Sequence, residues 1–257
     1  MPFLHPPYSG NHKRIISVVP SQTELLYSLG LDEEVIGITK FCVHPDSWFK
    51  NKTRVGGTKN LKLELIRKLQ PDLILTNKEE NTQEEIETLS KEFNVYVSDI
   101  SDLEGALKMI TDIGTLTNKL SESKVLVNEI HQSFNQLPIT KPPFRVAYLI
   151  WQEPFITIGR DTFIHDMMER CGFENVFKHL NRYPEISIAD LQSSKIELVL
   201  LSSEPYPFKE IHKKKIEEHL IGVKCILVDG EFFSWYGSRM LIAPQYFKDL
   251  QIEIQEL

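Results

Sequence analysis

The sequence is poor in cysteine. It has three, Cys42, Cys171 and Cys225, with no C-x-x-C pair, and an odd, scattered set excludes a disulfide framework or a zinc ribbon and fits a reduced compartment. No apolar run reaches membrane-spanning length, so no membrane insertion is expected. Positive charge is in deficit: 29 Lys and Arg stand against 36 Asp and Glu, a formal net charge of −7, which argues against a surface built for nonspecific nucleic-acid binding. Residues 1–14, MPFLHPPYSGNHKR, place prolines and polar groups where a secretory signal needs a continuous apolar core. The chain as it stands is therefore expected in the cytoplasm, and in the periplasm only if its true start lies upstream. Enzyme signatures are missing as well. No G-x-S-x-G elbow, H-E-x-x-H helix, G-x-x-x-x-G-K-[ST] loop or G-x-G-x-x-G turn occurs, so neither a catalytic class nor a resident cofactor is indicated.

What is present is a near repeat. Residues 60–79, NLKLELIRKLQPDLILTNKE, return as residues 185–204, EISIADLQSSKIELVLLSSE, with Asp72 and Glu197 in matching places before an apolar run. RIISVV at 14–19 and RVAYLI at 145–150 open the two halves. Apolar stretches at 35–39, 73–76 and 95–99 alternate with helical patterns, which is the βαβ rhythm of a parallel sheet. The second half offers strands at 145–150, 155–158, 198–202 and 225–229. The expected fold is α/β, two Rossmann-like lobes bridged by a long helix with a ligand cleft between them. The lobes take residues 1–101 and 142–257, and connecting helices take 102–141.

Local signals place the helices. Ser21-x-x-Glu24 reads as a capping box for a helix over 22–29, with Gly30 as its left-handed stop, and Ser101-x-x-Glu104 repeats that signature. A helix over 120–137 would be about 27 Å long, stopped by Lys141-Pro142-Pro143. Asp161 is placed as the cap of a helix ending at Arg170, closed by Cys171-Gly172, and Pro207 opens a basic helix through Leu220. Residues 238–257 read as a closing amphipathic helix. With no flexible linker or low-complexity segment, a rigid monomeric body is expected.

In open α/β sheets ligands gather beyond the carboxyl ends of the strands. The loops there carry Lys40, Phe41, Cys42 and His44, then Gly56-Gly57-Thr58-Lys59, then Asn77-Lys78. Lys40, Lys59 and Lys78 together would favour a ligand bearing carboxylates or phosphates. The second half contributes aromatics: Trp151, Phe155, Tyr183, Tyr206 and the run Phe232-Phe233-Ser234-Trp235-Tyr236 ahead of Arg239. Trp235 and Tyr236 are candidate ligand contacts, and Arg239 is a planar fork for a carboxylate. Cys42 and His44 alternate, so one side of an extended segment could present both, as metal ligands or as nucleophile and base. Without a third ligand no metal site is assigned.

RIISVVPSQTELLYSLG, VIGITKF, VGGTKNLKLELIRKLQPDLILTN and EPFITIGRDTFIHDMMERCGFENVF together resemble the helical-backbone (class III) periplasmic substrate-binding proteins of ABC importers for cobalamin, iron-siderophores and haem. The resemblance implies a non-enzymatic receptor that captures a metal chelate or corrinoid between two lobes and delivers it to an ABC permease. Within that family the chain is most similar to the cobalamin branch, which implies ligand contact at Phe41, Tyr183 and Arg239. Thr58 and Asn77 stand where that branch has tryptophans, so a smaller or more anionic iron chelate held by Lys40, Lys59 and Lys78 competes with a corrin. The family docks on its permease through one acidic residue on each lobe; Glu64 matches the first, while Ala189 occupies the second with Asp190 beside it. The competing class is an intracellular ligand sensor or enzyme using Cys42 and His44.

Overall fold

The computed structural model describes residues 11–138 and 143–256. Residues 1–10, residues 139–142, which include the Lys141-Pro142 part of the expected stop, and Leu257 lie outside the described residues. The chain divides into two compact units.

The first unit holds the residues up to Ile100, Glu104–His131 and Trp235–Leu241. Its elements run β1 (Ile15–Ser17), α1 (Pro20–Ser28), β2 (Val35–Ile38), α2 (Asp46–Asn51), β3 (Thr53–Arg54), β4 (Gly56–Gly57), β5 (Asn60–Leu61), α3 (Leu63–Leu69), β6 (Leu73–Asn77), α4 (Gln83–Ser90) and β7 (Val95–Ser98). The sheet order is β3-β2-β1-β6-β7, and every neighbouring pair is parallel. The central strands β1 and β6 are buried throughout and β2 and β7 nearly so, as a parallel sheet covered on both faces requires, while the edge strand β3 is a short polar pair. Ile16, Val18, Ile66, Ile74, Leu89 and Val95 form the core of this unit. Then α5 (Leu103–Leu116) and α6 (Leu120–Asn135) carry the chain from the first unit to the second. α6 is about 24 Å long at 1.5 Å per residue, about half a turn shorter than its sequence pattern.

The second unit comprises Ser101–Leu103, Gln132–Ser234 and the residues from Ile242 on. It contains β8 (Phe144–Trp151), β9 (Phe155–Thr157), α7 (Phe163–Arg170), β10 (Phe173–Asn175), β11 (Glu185–Ile186), α8 (Ile188–Ser193), β12 (Leu198–Ser202), α9 (Glu210–His219), β13 (Lys224–Val228), α10 (Glu231–Ser234) and α11 (Ala243–Gln255). The sheet order is β11-β9-β8-β12-β13, with β10 on β8. β8, β12 and β13 are parallel, and β9 and β11 turn antiparallel at one edge. Trp235–Leu241, expected in the second lobe, groups with the first unit.

The repeat is real down to individual hydrogen bonds. Asp72 accepts the backbone N–H groups of Lys13 and Arg14 at 2.8 and 3.1 Å, and Glu197 accepts that of Arg145 at 2.8 Å. The Arg14 side chain donates to the Gln70 and Leu69 carbonyls; Arg145 donates to those of Lys195 and Ser194 at 3.1 and 3.0 Å. Gln70 and Lys195, the residues at these helix ends, share a left-handed backbone, φ 47° and 50°. Each arginine thus ties the first strand of its unit to carbonyls left open where a helix stops.

Several expected helix caps differ. Val19, not Ser21, precedes α1, and no side chain caps it: Pro20 sits at the first position, where a missing N–H costs nothing, and Glu24 turns to Arg239 instead. Gly30 does supply the left-handed stop, φ 73°. Thr162, not Asp161, caps α7 by accepting the His165 N–H at 3.2 Å, because Asp161 is itself left-handed and takes the Arg182 N–H at 2.8 Å. α9 starts at Glu210 rather than near Pro207, and the closing helix is broken into a 3-10 turn, Ser238–Leu241, and α11.

Candidate functional site

In the first unit the carboxyl ends of β1, β2, β6 and β7 open onto three loops. Lys40 and Phe41 follow β2 and lie over Gly57: a Cβ added at Gly57 would stand 3.3 Å from Phe41 Cε2 and 3.4 Å from Lys40 Cε. Lys40 Nζ is 4.9 Å from the Phe41 ring centre, a cation–π contact, and Phe41 is half exposed. β4 and β5 make a short hairpin with Lys59 exposed in its turn. Gly56 has φ 119°, and a Cβ there would come within 2.4 Å of the Asn60 carbonyl oxygen, so only glycine closes the hairpin. Lys40 N–H donates to the Gly56 carbonyl at 2.8 Å, joining the two loops. The edge therefore presents an aromatic ring and two lysines over bare backbone, a surface fit for a planar or anionic solute.

The other predicted contacts of this unit are engaged within the protein. Lys78 is paired with Asp99 at 2.6 Å, so its charge is locally answered. Asn77 is buried and donates to Tyr236 Oη and to Glu80 Oε1, the latter at 3.2 Å; its own Oδ1 accepts the Glu80 N–H at 2.8 Å. Tyr236 and Trp235, the rings expected to face a ligand, are buried too. The His44 ring meets Trp235 edge-on at 5.5 Å, and the Arg239 guanidinium lies 4.9 Å from the Trp235 ring centre, a cation–π contact. Arg239 is also held by both oxygens of Glu24, at 2.7 and 3.1 Å. The fork expected for a ligand carboxylate thus grips a carboxylate of α1. Burial pushes the Tyr236 phenol well above its ordinary pKa, with Glu80 adding to the shift.

Cys42 and His44 do not form a reactive pair. Cys42 is fully buried, 3.1 Å from Thr23 Oγ1 and 3.2 Å from Thr39 Oγ1, and burial raises its thiol pKa. A thiol held protonated in a closed pocket is a poor nucleophile and a poor ligand. Among the described residues no group of three His, Cys, Asp or Glu side chains is arranged to hold a metal ion.

In the second unit Trp151 ends β8 and remains exposed, edge-on to Tyr206 at 5.5 Å. Tyr206 Oη accepts from Gln152 Nε2 at 2.6 Å and stands 3.3 Å from His212 Nε2. His212 Nδ1 accepts the Lys209 N–H at 2.9 Å, so the neutral ring carries its proton on Nε2 and donates to Tyr206. Sequence gave Tyr206 no special standing among the aromatics; its position just past the carboxyl end of β12 was the available signal. Tyr183 is half buried, with the Arg182 guanidinium 5.6 Å from its ring centre. A cavity of about 420 Å³ in this unit is lined by Phe134, Arg170, Phe173 and Lys178 among others, and by none of the predicted site residues.

The two predicted docking acids differ in what they do locally. Glu64 stands exposed in the first turn of α3 and pairs with Arg67. Asp190 is the third residue of α8 and completes a capping box, accepting the Ser187 N–H and Oγ–H at 2.7 Å each; the Ser187 hydroxyl holds its carboxyl below the usual range.

Comparison with known proteins places this geometry. The family model described as "Periplasmic binding protein" matches residues 15–222. The sequence is 27% identical over 203 residues to the Vitamin B12-binding protein of Vibrio campbellii, covering 76% of this chain and 72% of that one. The fold superposes on a possible iron-binding, periplasmic solute-binding protein of Staphylococcus epidermidis with TM-score 0.78, at 24% identity and covering 95% and 99% of the two chains. It superposes on the periplasmic heme binding protein of Vibrio cholerae with TM-score 0.79, at 21% identity and covering 93% and 98%. The two α/β units, the helices that join them and the match over residues 15–222 have one account: the chain belongs to the periplasmic binding protein family.

Proposed function

We propose that this chain is the solute-binding component of an ABC importer, capturing a metal chelate or corrinoid and delivering it to a membrane permease without chemical change. The observation that carries this is the family match over most of the chain, joined to relatives named for vitamin B12, heme and iron. Lys40, Phe41 and Lys59 on the first unit, and Trp151 and Tyr183 on the second, are the proposed solute contacts. Glu64 is the proposed permease contact on the first unit, and Asp190 the nearest carboxylate to the corresponding position on the second. Export to the periplasm goes with this function.

The direct test is a titration of the purified protein with cyanocobalamin, haemin and ferrichrome, followed by tryptophan fluorescence and by calorimetry. Saturable binding of one of them is expected, with quenching through exposed Trp151. Absence of binding to all three by calorimetry overturns the proposed solute class.

A further inference from the structure

Asn81 touches three loops at once. Its Oδ1 accepts the Asn77 N–H at 2.9 Å, at the end of β6. Its Nδ2 donates to the Thr58 carbonyl at 3.0 Å, in the turn of the β4–β5 hairpin, and lies 3.4 Å from the Val18 carbonyl, just past β1. The side chain is buried. Only a primary amide offers an acceptor and two donors on one short stem, so aspartate, leucine or serine cannot reproduce the set. Four residues on, Glu85 Oε1 accepts the Leu61 N–H at 2.8 Å and Oε2 accepts from Thr82 Oγ1 at 2.8 Å. The hairpin is thus pinned at its turn by Asn81 and at its base by Glu85, while Lys40 N–H holds the Gly56 carbonyl from the other side.

The pinned hairpin is the piece that carries Gly57, over which Lys40 and Phe41 lie, and Lys59. A two-residue ladder has little stability of its own, so these side-chain anchors decide where Lys59 stands before any solute arrives. We propose that Asn81 is a positioning residue of the solute site: it presets the hairpin, and through it the place of Lys59, so that the first unit meets anionic solutes with its cation already in position. Preorganisation of this kind lowers the ordering cost of binding. The inference rests on the solute-binding proposal above and assigns Asn81 no contact with solute.

Two variants test it, Asn81→Ser and Asn81→Asp, alongside Lys59→Ala as a control that leaves the hairpin intact. The first measurement needs no solute: tryptic cleavage after Lys59 is timed in the folded proteins, with backbone hydrogen exchange of residues 56–61 in the wild type as a check independent of any variant. Cleavage after Lys59 is expected at least tenfold faster in both Asn81 variants, and wild-type exchange in the hairpin slower than in residues 78–80. The second measurement compares haemin, which carries two carboxylates, with neutral cyanocobalamin. Asn81→Ser should weaken haemin roughly tenfold, the loss expected from one well-made hydrogen bond, and weaken cyanocobalamin clearly less, as Lys59→Ala should too. A general loosening of the fold would weaken both probes alike. Unchanged cleavage after Lys59 overturns the anchoring, and faster cleavage with unchanged haemin affinity overturns the link to the site. If the wild type binds neither probe, the solute class falls, and the cleavage and exchange results still decide whether Asn81 holds the hairpin.

Discussion

Cys42 and His44 are two residues apart, yet the fold gives them different surroundings. Cys42 points inward to Thr23 and Thr39, and His44 packs on Trp235. Alternation along a segment fixes which side a residue points to; it does not say whether that side is core or solvent. Cys42→Ala should therefore leave the affinity for whichever probe binds within twofold and lower stability by about 1–2 kcal/mol, the cost of a small cavity. Calorimetry and urea unfolding of the same variant check both halves, and loss of binding in a folded Cys42→Ala protein would return the pair to the site. Asn77 and Arg239 teach the same lesson. Their residue types suggested ligand contacts, but Tyr236 and Glu24 supply the partners internally, and those partners lie 159 and 215 residues away in sequence, beyond the reach of any local pattern.

At the scale of elements the apolar runs were the most legible feature. β2, β6, β7, β8, β12 and β13 fall on stretches whose composition alone announces a buried parallel strand. The short strands β3, β4, β5, β10 and β11 did not stand out, since two or three residues carry no period. Helix beginnings were misplaced where two capping groups stood side by side, as with Asp161 and Thr162. Gly114 marks a contact that no periodicity reveals. It faces the start of α6 so closely that a Cβ there would lie 2.1 Å from Ser123 Oγ and 3.0 Å from the Lys119 carbonyl oxygen. Gly114→Ala should destabilise the protein by about 1–3 kcal/mol through overpacking, and pairing it with Ser123→Ala should recover only part, because the Ser123 Cβ and the Lys119 backbone remain. Thermal or urea unfolding measures this; a Gly114→Ala protein as stable as the wild type would mean that α5 and α6 can separate freely.

For the molecule as a whole, the buried hydroxyls and thiols set an alkaline limit. Burial raises the pKa of Tyr96, Tyr148 and Tyr236, pushes Tyr246 and Cys225 up to about 12, and raises Cys42 and Cys171. The unfolded chain releases these protons from about pH 9 for thiols and about pH 10 for phenols. Above about pH 9 the folded protein therefore binds more protons than the unfolded one, and stability falls as pH rises. The urea midpoint is expected to drop steadily between pH 8 and pH 10.5, with little change from pH 7 to pH 8; a flat profile to pH 10.5 would mean these groups ionise in place.

The sequence by itself determined the two α/β units, the repeat that sets Asp72 and Glu197 in matching places, and the family, because strand burial, turn chemistry and a repeated segment are written in local residue order; the hydrogen bonds those two carboxylates make to Arg14 and Arg145 came from the fold. Only the tertiary structure decided that Trp235–Leu241 joins the first unit, that Arg239 is occupied by Glu24, and that Asn81 gathers three loops. Those outcomes depend on which distant groups meet across folded surfaces, where a buried donor or acceptor must find a partner and sequence distance sets no limit.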